Sequence, residues 1–327
     1  MIEKDYSELL PAPQKYKILI FGAGVIGSIY GGLLSKSGHD VTLLARGKRF
    51  KELKQNGLLL SKNNRSVERY EVEIISELNV NDIYDFVFVT LRNDHIAEAL
   101  PILAENKSRN FVFMINNANG FSDWEKILGE NRVISAFPGA GGKIENSIVH
   151  YNLTTRLVQP TTFGEINGAI TKRIISLKQI LKHAGFPTAI STNMDSWQKT
   201  HLALVCPLAY GIYFDGGNNY TFSKNKKAVE QTCKALKETF SFINNSDIAL
   251  TPSKFHLIRL APMFILKFVM PKIYNTKWAE TLISNHALAA KNEMELLTKE
   301  FISLAKNRGI ELNEINSRSK IRISDYF

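Results

Sequence analysis

The segment from Lys17 to Arg46 limits the possible folds of this chain more than any other part of it. It reads KILIFGAGVIGSIYGGLLSKSGHDVTLLAR, so an apolar run, a glycine-rich turn, a helical stretch and a second apolar run follow one another. Gly22, Gly24 and Gly27 have the spacing G-x-G-x-x-G. Such glycines permit a tight turn, the approach of a pyrophosphate and close helix–strand packing. The segment predicts a βαβ unit whose phosphate loop comprises Gly22, Ala23, Gly24, Val25, Ile26 and Gly27; a loop that only turns the chain is the alternative.

The end of the second apolar run indicates which dinucleotide is bound. NAD-binding proteins commonly have an acidic residue here, which holds the ribose 2′-OH. This chain has Ala45, Arg46, Gly47, Lys48 and Arg49 instead. An arginine can pair with a 2′-phosphate in a fork geometry, whereas a carboxylate would repel it. NADP is therefore the predicted cofactor, with Arg46 as its first contact and Lys48 or Arg49 in support; a solvated basic turn is the alternative.

The rest of the N-terminal half alternates strands and helices. YDFVFVTL (84–91) and FVFMI (111–115) are buried strand patterns, and residues 144–165 look extended and antiparallel, whereas the segment after Arg46 looks poor in strands. Beyond residue 190 the patterns are helical. We predict an α/β protein: an N-terminal extension (1–16), a Rossmann-like NADP-binding domain with a doubly wound sheet (17–190), and an all-helical substrate and catalytic domain (191–327).

Composition narrows the possible partners. The 327 residues carry a formal charge of +10, but the basic residues are spread along the chain and no zinc-finger or RNP-type pattern accompanies them. We therefore expect no nucleic acid, and an anionic cofactor and substrate instead. Two cysteines without metal spacing suit a cytoplasmic protein and predict no metal site. The most apolar stretch, Leu257 to Met270, is interrupted by Arg259, Pro262 and Lys267, so we expect no membrane span and no membrane partner.

Polar loops follow two of the predicted strands, at the sheet edge where ligands bind in such folds. Arg92-Asn93-Asp94 follows one strand, and Asn116-Asn117-Ala118-Asn119-Gly120 follows the next. Asparagine and aspartate also cap helices, but one residue per loop would suffice for that. We therefore predict a ligand contact for Asn117.

The sequence DSWQK opens a helix that is apolar on all sides and so is buried. Lys199 lies near the start of that helix, where an ammonium group needs a partner, a polar cleft or a path to solvent. Further along, Pro207 lacks an N–H and leaves the carbonyl of Ala203 without its helical donor.

A long helix is predicted from about Ala279 to Asn307. Glu293 and His286 lie together at one edge of its apolar stripe. A carboxylate in such a position is either a functional group or the partner of a basic residue. Structural hydrogen bonds are the simpler expectation for His286 and for His201 on the preceding helix.

In four blocks the chain resembles the ketopantoate reductase family (2-dehydropantoate 2-reductase, NADP-dependent). They are the glycine segment up to Arg46, FVFVTLR followed by INNANG, SWQK, and KNEMELLTKEFISLAKNRGI. The resemblance implies reduction of ketopantoate to pantoate in pantothenate biosynthesis, with Lys199 as general acid and Glu293 as second catalytic residue. It also implies that Asn117, Thr281 and Ser284 bind substrate, and that Arg92 and Asn117 contact the cofactor.

The chain departs from the family pattern at several of these positions. Arg92 replaces the family's lysine, and Ala203 and Pro207 stand near the places of two asparagines. Two alternatives therefore stay open: an NADPH-dependent reductase of a different 2-oxo acid, and a non-catalytic NADP-binding regulatory protein. Either a monomer or a homodimer is compatible with the sequence.

Overall fold

The computed structural model describes residues 14–319, except for the side chains of His286 and Arg318. Most of the predicted N-terminal extension, residues 1–13, lies outside the described residues. The chain divides into two compact units. The first comprises the residues up to Leu91, His95–Ile115 and Phe121–Met194, and the second comprises Arg92–Asp94, Asn116–Gly120 and the residues from Asp195 onward. The predicted domain limits at residues 16 and 190 stay predictions.

The first unit alternates strands and helices along most of its length. Its elements are β1 (Lys17–Phe21), α1 (Val25–Lys36), β2 (Asp40–Leu44), α2 (Gly47–Asn56), β3 (Leu58–Lys62), β4 (Val67–Tyr70), β5 (Glu73–Ile75), β6 (Phe86–Val89), α3 (Ile96–Glu105), β7 (Phe111–Met114), α4 (Ser122–Leu128), β8 (Val133–Phe137), β9 (Ala140–Glu145), β10 (Ile148–Leu153), β11 (Thr161–Glu165), α5 (Lys172–His183) and β12 (Thr188–Ile190).

Eight of these strands form one sheet in the order β12-β11-β8-β7-β6-β1-β2-β5. All neighbours are parallel except β11 and β8, which are antiparallel. Central strands of a doubly wound sheet are covered on both faces, and Ile18, Leu19 and Ile20 of β1 are accordingly fully buried. The predicted α/β class is confirmed, with one antiparallel pairing in a sheet that is otherwise parallel.

A second sheet has the order β4-β3-β10-β9. Strand β10 lies within the segment 144–165 that was predicted to be extended, whereas most of its antiparallel partner β9 precedes that segment. Strands β3 and β4 correct the expectation of a strand-poor segment after Arg46. Leu58, Leu60 and Tyr151 of this sheet share a buried cluster with Tyr30 and Leu34 of α1. Burial against α1 thus stabilises β3, although the polar residues on either side of this strand give no indication of it in the sequence.

The regular elements described in the second unit are all helical. They are α6 (Met194–Phe214), α7 (Asn219–Lys224), α8 (Lys226–Asn245), α9 (His256–Leu260), α10 (Met263–Tyr274), α11 (Lys277–Ala279), a π-helical turn (Glu280–Ser284), α12 (Asn285–Ala289), α13 (Lys291–Lys306) and α14 (Asn313–Ser319). Within residues 14–319, no helix combines the length and the apolar character that crossing a membrane requires.

The predicted continuous helix from Ala279 to Asn307 is wrong. The chain instead passes through the π-helical turn and α12, and Ala290, with φ −125° and ψ 37°, interrupts the helical backbone before α13 begins. The apolar periodicity continues across this break because Ala287, Met294 and Leu297 join one buried cluster. The predicted helix was therefore too long, because the apolar periodicity on which it was based continues across the break.

Candidate active site

The phosphate loop joins β1 to α1. Gly22 has φ +118°, and a Cβ at Gly27 would lie 1.8 Å from the carbonyl oxygen of Gly22, so both positions require glycine. A Cβ at Gly24 would instead meet no described atom within 4 Å. Gly24 is the N-cap of α1, whose first turn contains no acidic residue and receives no side-chain cap from the described residues. The space at Gly24 and the N–H groups of α1 fit a phosphate.

Two side chains that the sequence analysis did not single out as supports hold this loop. The hydroxyl of Thr90, at the end of β6, donates to the carbonyl of Gly22 at 2.8 Å. The guanidinium of Arg49 donates to the carbonyl of Ala23 at 3.2 Å and to the hydroxyl of Ser28 at 3.3 Å. Arg49 therefore stabilises the phosphate loop directly, in addition to its predicted place near a 2′-phosphate.

Arg46 remains available to a ligand. It is exposed at the N-cap of α2, and its guanidinium carbon lies 6.0 Å from the ring centroid of Phe21. Lys48 is 92% exposed, and its ammonium lies 3.7 Å from Glu52. With two cations at this turn and no carboxylate among residues 45–49, the arrangement fits the 2′-phosphate of NADP better than a free ribose hydroxyl.

Lys199 lies in the second turn of α6, in the second unit. Its side chain is 10% exposed, and its ammonium donates to the carboxylate of Asp195 at 2.5 Å, one turn earlier. Burial of a cation is costly unless a counter-charge accompanies it, and Asp195 is that counter-charge. The sequence analysis placed Asp195 at the start of the helix and missed this pairing, although the spacing i, i+4 is the signal for it.

Glu293 lies in the first turn of α13 and is 5% exposed. Its carboxylate accepts a hydrogen bond from the backbone N–H of Asn93 at 3.2 Å. The pKa of Glu293 is raised from 4.5 to about 7: burial is the largest cause, the Asn93 hydrogen bond opposes it, and the smaller effects of Asp94 and Arg92 raise and lower the pKa respectively. A carboxyl group with this pKa exchanges a proton near neutral pH, which is the range in which acid–base groups operate.

A second carboxylate of α13 holds the same loop. Glu300 accepts a hydrogen bond from the side-chain amide of Asn93 at 3.4 Å and another from the side chain of Asn119. Burial raises the pKa of Glu300, and these two hydrogen bonds oppose the rise. Glu300 thus links the loop after β6 to the loop after β7, a role that the sequence did not predict.

The polar groups of Asn117 are largely satisfied inside the second unit. Its backbone N–H donates to Gln198 at 3.3 Å, its side-chain amide donates to the carbonyl of Gly120 at 2.5 Å, and its side-chain oxygen accepts from the N–H of Asn119 at 2.9 Å. The neighbouring Asn116 differs, because its buried side-chain oxygen has no hydrogen-bond partner in the described part of the chain. A buried orphan of this kind makes Asn116 a better ligand candidate than Asn117.

Arg92 and His201 lie in the same unit. The guanidinium of Arg92 donates to the carbonyl of Ala289 at 3.2 Å and lies 3.5 Å from Asp94, with its side chain 47% exposed. The ring of His201 stacks on the ring of Trp197 with their centroids 5.1 Å apart, which is a structural packing contact. The side chain of His286 lies outside the described residues.

The two predicted substrate hydroxyls make main-chain hydrogen bonds. Thr281 donates to the carbonyl of Lys277 at 3.0 Å, and the buried Ser284 donates to the carbonyl of Gly217 at 2.7 Å. Their role in binding substrate stays a prediction. Hydrogen bonds connect the other predicted groups of the second unit more closely: Asn117 binds Gln198 beside Lys199, and Glu293 binds the loop that carries Arg92.

The fold and the phosphate loop define the class of Rossmann-type dinucleotide-binding proteins. Residues 18–168 match the family described as ketopantoate reductase PanE/ApbA. The match covers 151 of the 327 residues and agrees with the resemblance inferred from the motifs. This match agrees with the predicted NADP cofactor and with the predicted reduction of a keto group.

Two relatives share part of this sequence. An uncharacterized oxidoreductase of Bacillus subtilis, YkpB, is 28% identical over 190 residues, which are 56% of this chain and 60% of the relative. A 2-dehydropantoate 2-reductase of Pyrococcus horikoshii is 26% identical over 240 residues, 69% of this chain and 75% of the relative. The chain thus spans less than two thirds of the length of the first relative.

Two solved structures share the fold. A 2-dehydropantoate 2-reductase from Geobacter metallireducens has a TM-score of 0.75 at 15% identity and covers 94% of this chain and 99% of its own. D-mandelate dehydrogenase, solved with NADH and anilino(oxo)acetate, has a TM-score of 0.69 at 15% identity, with coverages of 95% and 97%. At such identities the similarity concerns the fold alone.

Proposed function

We propose that this protein is an NADPH-dependent reductase that converts ketopantoate to pantoate. The observation that carries the proposal is the buried Lys199 ammonium, held at 2.5 Å from Asp195 in the unit that also contains a Glu293 carboxyl with a pKa of about 7. A cation and a carboxyl with this protonation behaviour can together bind and protonate a 2-oxo acid. The family match over residues 18–168 supports the same reaction class.

The nucleotide fits the first unit. The N–H groups of α1 and the space at Gly24 hold its pyrophosphate, and Arg46 pairs with its 2′-phosphate. NADPH, when bound, supplies the hydride that reduces the keto carbon. Thr90 and Arg49 keep the loop carbonyls of Gly22 and Ala23 in place.

Lys199 provides the proton that completes the reduction. As the keto oxygen takes up negative charge, the ammonium stabilises that charge and donates its proton to form the hydroxyl group. Asp195 holds the ammonium in one position while the side chain is buried. Glu293 accepts a hydrogen bond from a substrate hydroxyl, and the orphan amide of Asn116 offers a further polar contact.

A different 2-oxo acid is the second candidate substrate. Ala203 and Pro207 stand near the places where the family has asparagines, and Ala203 is fully buried. Loss of two amides removes polar contacts for a hydroxylated substrate such as ketopantoate. The shared fold of D-mandelate dehydrogenase, solved with NADH and anilino(oxo)acetate, supports including other 2-oxo acids as candidates.

The test is NADPH oxidation by the purified chain with ketopantoate and a panel of other 2-oxo acids. Turnover with ketopantoate at the highest kcat/KM supports the proposal, and a higher kcat/KM for another acid transfers it to that substrate. Lys199→Ala should lower kcat by about 10²–10⁴, which corresponds to about 3–5 kcal/mol of barrier, with unchanged NADPH affinity. Lys306→Ala, an exposed lysine on α13, is the matched control and should retain full activity.

Two results would count against the proposal. Tight NADPH binding without turnover of any 2-oxo acid would favour a regulatory, non-catalytic protein. Normal turnover by Lys199→Ala would leave the reductase activity in place but remove Lys199 from its mechanism.

A further inference from the structure

Helices α9 and α10 expose an unusual amount of apolar surface. Eight large apolar side chains between residues 257 and 278 are more than one third exposed, among them Leu257 and Phe264 at 73% and Phe268 at 64%. We call this set the α9–α10 surface; it consists of Leu257, Leu260, Phe264, Ile265, Phe268, Val269, Ile273 and Trp278. Soluble monomers rarely leave large apolar groups exposed in such succession unless the surface binds something.

The arrangement on α10 is two-sided, as expected of an amphipathic helix, but its outward side is apolar. Met270 and Tyr274 face the core of the unit and are buried. Phe264 and Phe268, spaced four residues apart, lie on the opposite side of the helix. The core therefore needs only one side of α10, and its packing does not explain the apolar residues on the other.

The charges around this surface have a single sign. Residues 251–279 contain Lys254, Arg259, Lys267, Lys272 and Lys277 and no acidic residue. Two of these cations lie beside carboxylates of neighbouring segments: Glu230 is 3.0 Å from Lys267, and Glu280 is 2.9 Å from Lys277.

This charge pattern discriminates between the two simplest occupants. In a symmetric dimer the same surface would face itself and would bring together the five cations of each copy, with Glu230 and Glu280 as the two carboxylates that lie beside them. A lipid surface with anionic headgroups provides both an apolar interior for the phenylalanines and negative charge for the lysines. The net charge of +10 on the whole chain adds to that attraction.

We propose that the α9–α10 surface binds the interface of an anionic lipid membrane, with α9 and α10 lying in the plane of the interface. Interruption by Arg259 and Lys267 excludes a span, as the sequence predicted, but basic residues beside phenylalanine and leucine are typical of interfacial helices. Lys272 lies directly against this surface, because its ammonium is 3.7 Å from the centroid of the Phe268 ring in a cation–π contact.

The test uses the full chain in flotation assays with phosphatidylcholine vesicles and with vesicles that also contain phosphatidylserine. We expect binding to the anionic vesicles to be at least about tenfold tighter and to weaken with salt. The double variant Phe264→Asp, Phe268→Asp should lose this binding. The matched control is Ile83→Asp, Leu157→Asp, which changes two apolar residues of the first unit that are 58% and 87% exposed, and which should bind as the wild type does.

Two further measurements keep the proposal falsifiable if the apolar variant fails to fold. The fluorescence of Trp278 should shift to the blue when anionic vesicles are added, and Trp278→Phe should remove that shift while Trp124 and Trp197 remain. The double variant Lys254→Glu, Lys272→Glu should weaken vesicle binding by at least about tenfold, and it leaves the buried apolar residues of the second unit unchanged.

Three outcomes would overturn the proposal. Equal binding to neutral and anionic vesicles, or no binding to either, removes the lipid surface as occupant. The third outcome is a chain that does not bind vesicles but self-associates with increasing concentration. If Phe264→Asp, Phe268→Asp abolishes this self-association, the surface binds a second copy of the chain.

Discussion

The hydroxyl oxygen of Thr239 lies 2.7 Å from the carbonyl oxygen of Ala203, the carbonyl that Pro207 deprives of its helical donor. Both residues are fully buried, so water cannot take the place of the missing N–H. A buried carbonyl without a partner is costly, and α8 supplies the donor that α6 lacks. The proline in the middle of a buried helix is thus compensated by a side chain from another helix.

We predict that Thr239→Val destabilises the protein by about 1–3 kcal/mol, because valine has a similar shape but leaves the carbonyl of Ala203 unsatisfied. Urea denaturation would measure the change. In a Pro207→Ala background the helical N–H is restored, so the same substitution should cost markedly less. An equal cost in both backgrounds would mean that the bonds of Thr239 to Ala235 and Leu236, rather than the one to Ala203, account for the effect.

Glu293 predicts a specific pH dependence of stability. Its folded pKa of about 7 lies above the ordinary value of 4.5, so the folded state holds the proton more tightly than the unfolded chain does. The stability that the protonated carboxyl contributes is complete below pH 4.5 and is lost as the pH rises through 7. At about 1.4 kcal/mol per pKa unit, the loss amounts to about 3 kcal/mol.

Glu293→Gln should therefore stabilise the protein at pH 8 by up to about 3 kcal/mol and have little effect at pH 5, since glutamine keeps an acceptor for the N–H of Asn93. Denaturation midpoints across this pH range would test the prediction. Glu295→Gln is the control, because its carboxylate is paired with Lys299 at the surface and should give no comparable pH dependence. A difference between Glu293→Gln and the wild type that is the same at pH 5 and pH 8 would contradict the prediction.

The sequence was sufficient for features that depend on local chain geometry. The phosphate loop was predictable because the contacts that require glycine at positions 22 and 27 lie within or next to one strand–turn–helix unit. The loss of the helical donor to the carbonyl of Ala203 was predictable from Pro207 alone, because an N–H in an α-helix donates to the carbonyl four residues earlier. Its actual partner, Thr239, was not, since it comes from a distant helix.

The features that the sequence did not disclose depend on long-range packing. Strand β3 is stable because Leu58 and Leu60 are buried beneath α1. The polar residues around these two leucines give no sign of that burial in the sequence. The contact of Arg49 with the phosphate loop and the link made by Glu300 join residues far apart in the chain. The break at Ala290 leaves the apolar periodicity intact, so periodicity could not reveal it.

The phosphate loop predicts different consequences for neighbouring glycines. Gly24→Ala should fold normally but weaken NADPH binding by at least about tenfold, because its Cβ would occupy the space that fits the pyrophosphate. Gly27→Ala should destabilise the protein by about 1–3 kcal/mol, because its Cβ would collide with the carbonyl of Gly22. Gly31→Ala, whose Cβ would lie 3.4 Å from Ile20 in ordinary contact, is the control on the same helix.

Thermal unfolding and NADPH titration would separate these effects. If Gly24→Ala bound NADPH with wild-type affinity, the open space at this position would not be the pyrophosphate site. If Gly27→Ala were as stable as Gly31→Ala, the loop would be able to relax around a methyl group.

Arg46 predicts the preference between the two nicotinamide cofactors. Its side chain is exposed at the N-cap of α2, and no carboxylate occurs among residues 45–49, so NADPH gains a charge-assisted contact that NADH cannot make. Arg46→Glu should lower the affinity for NADPH by at least about tenfold and leave that for NADH nearly unchanged or raised, because glutamate repels the 2′-phosphate and accepts from a ribose hydroxyl. Lys48→Glu, at a 92% exposed position of the same turn, tests whether the effect comes from net charge alone. Binding constants for both cofactors decide the matter: an equal loss for NADPH and NADH in Arg46→Glu, or the same change in Lys48→Glu, would mean that Arg46 does not recognise the 2′-phosphate specifically.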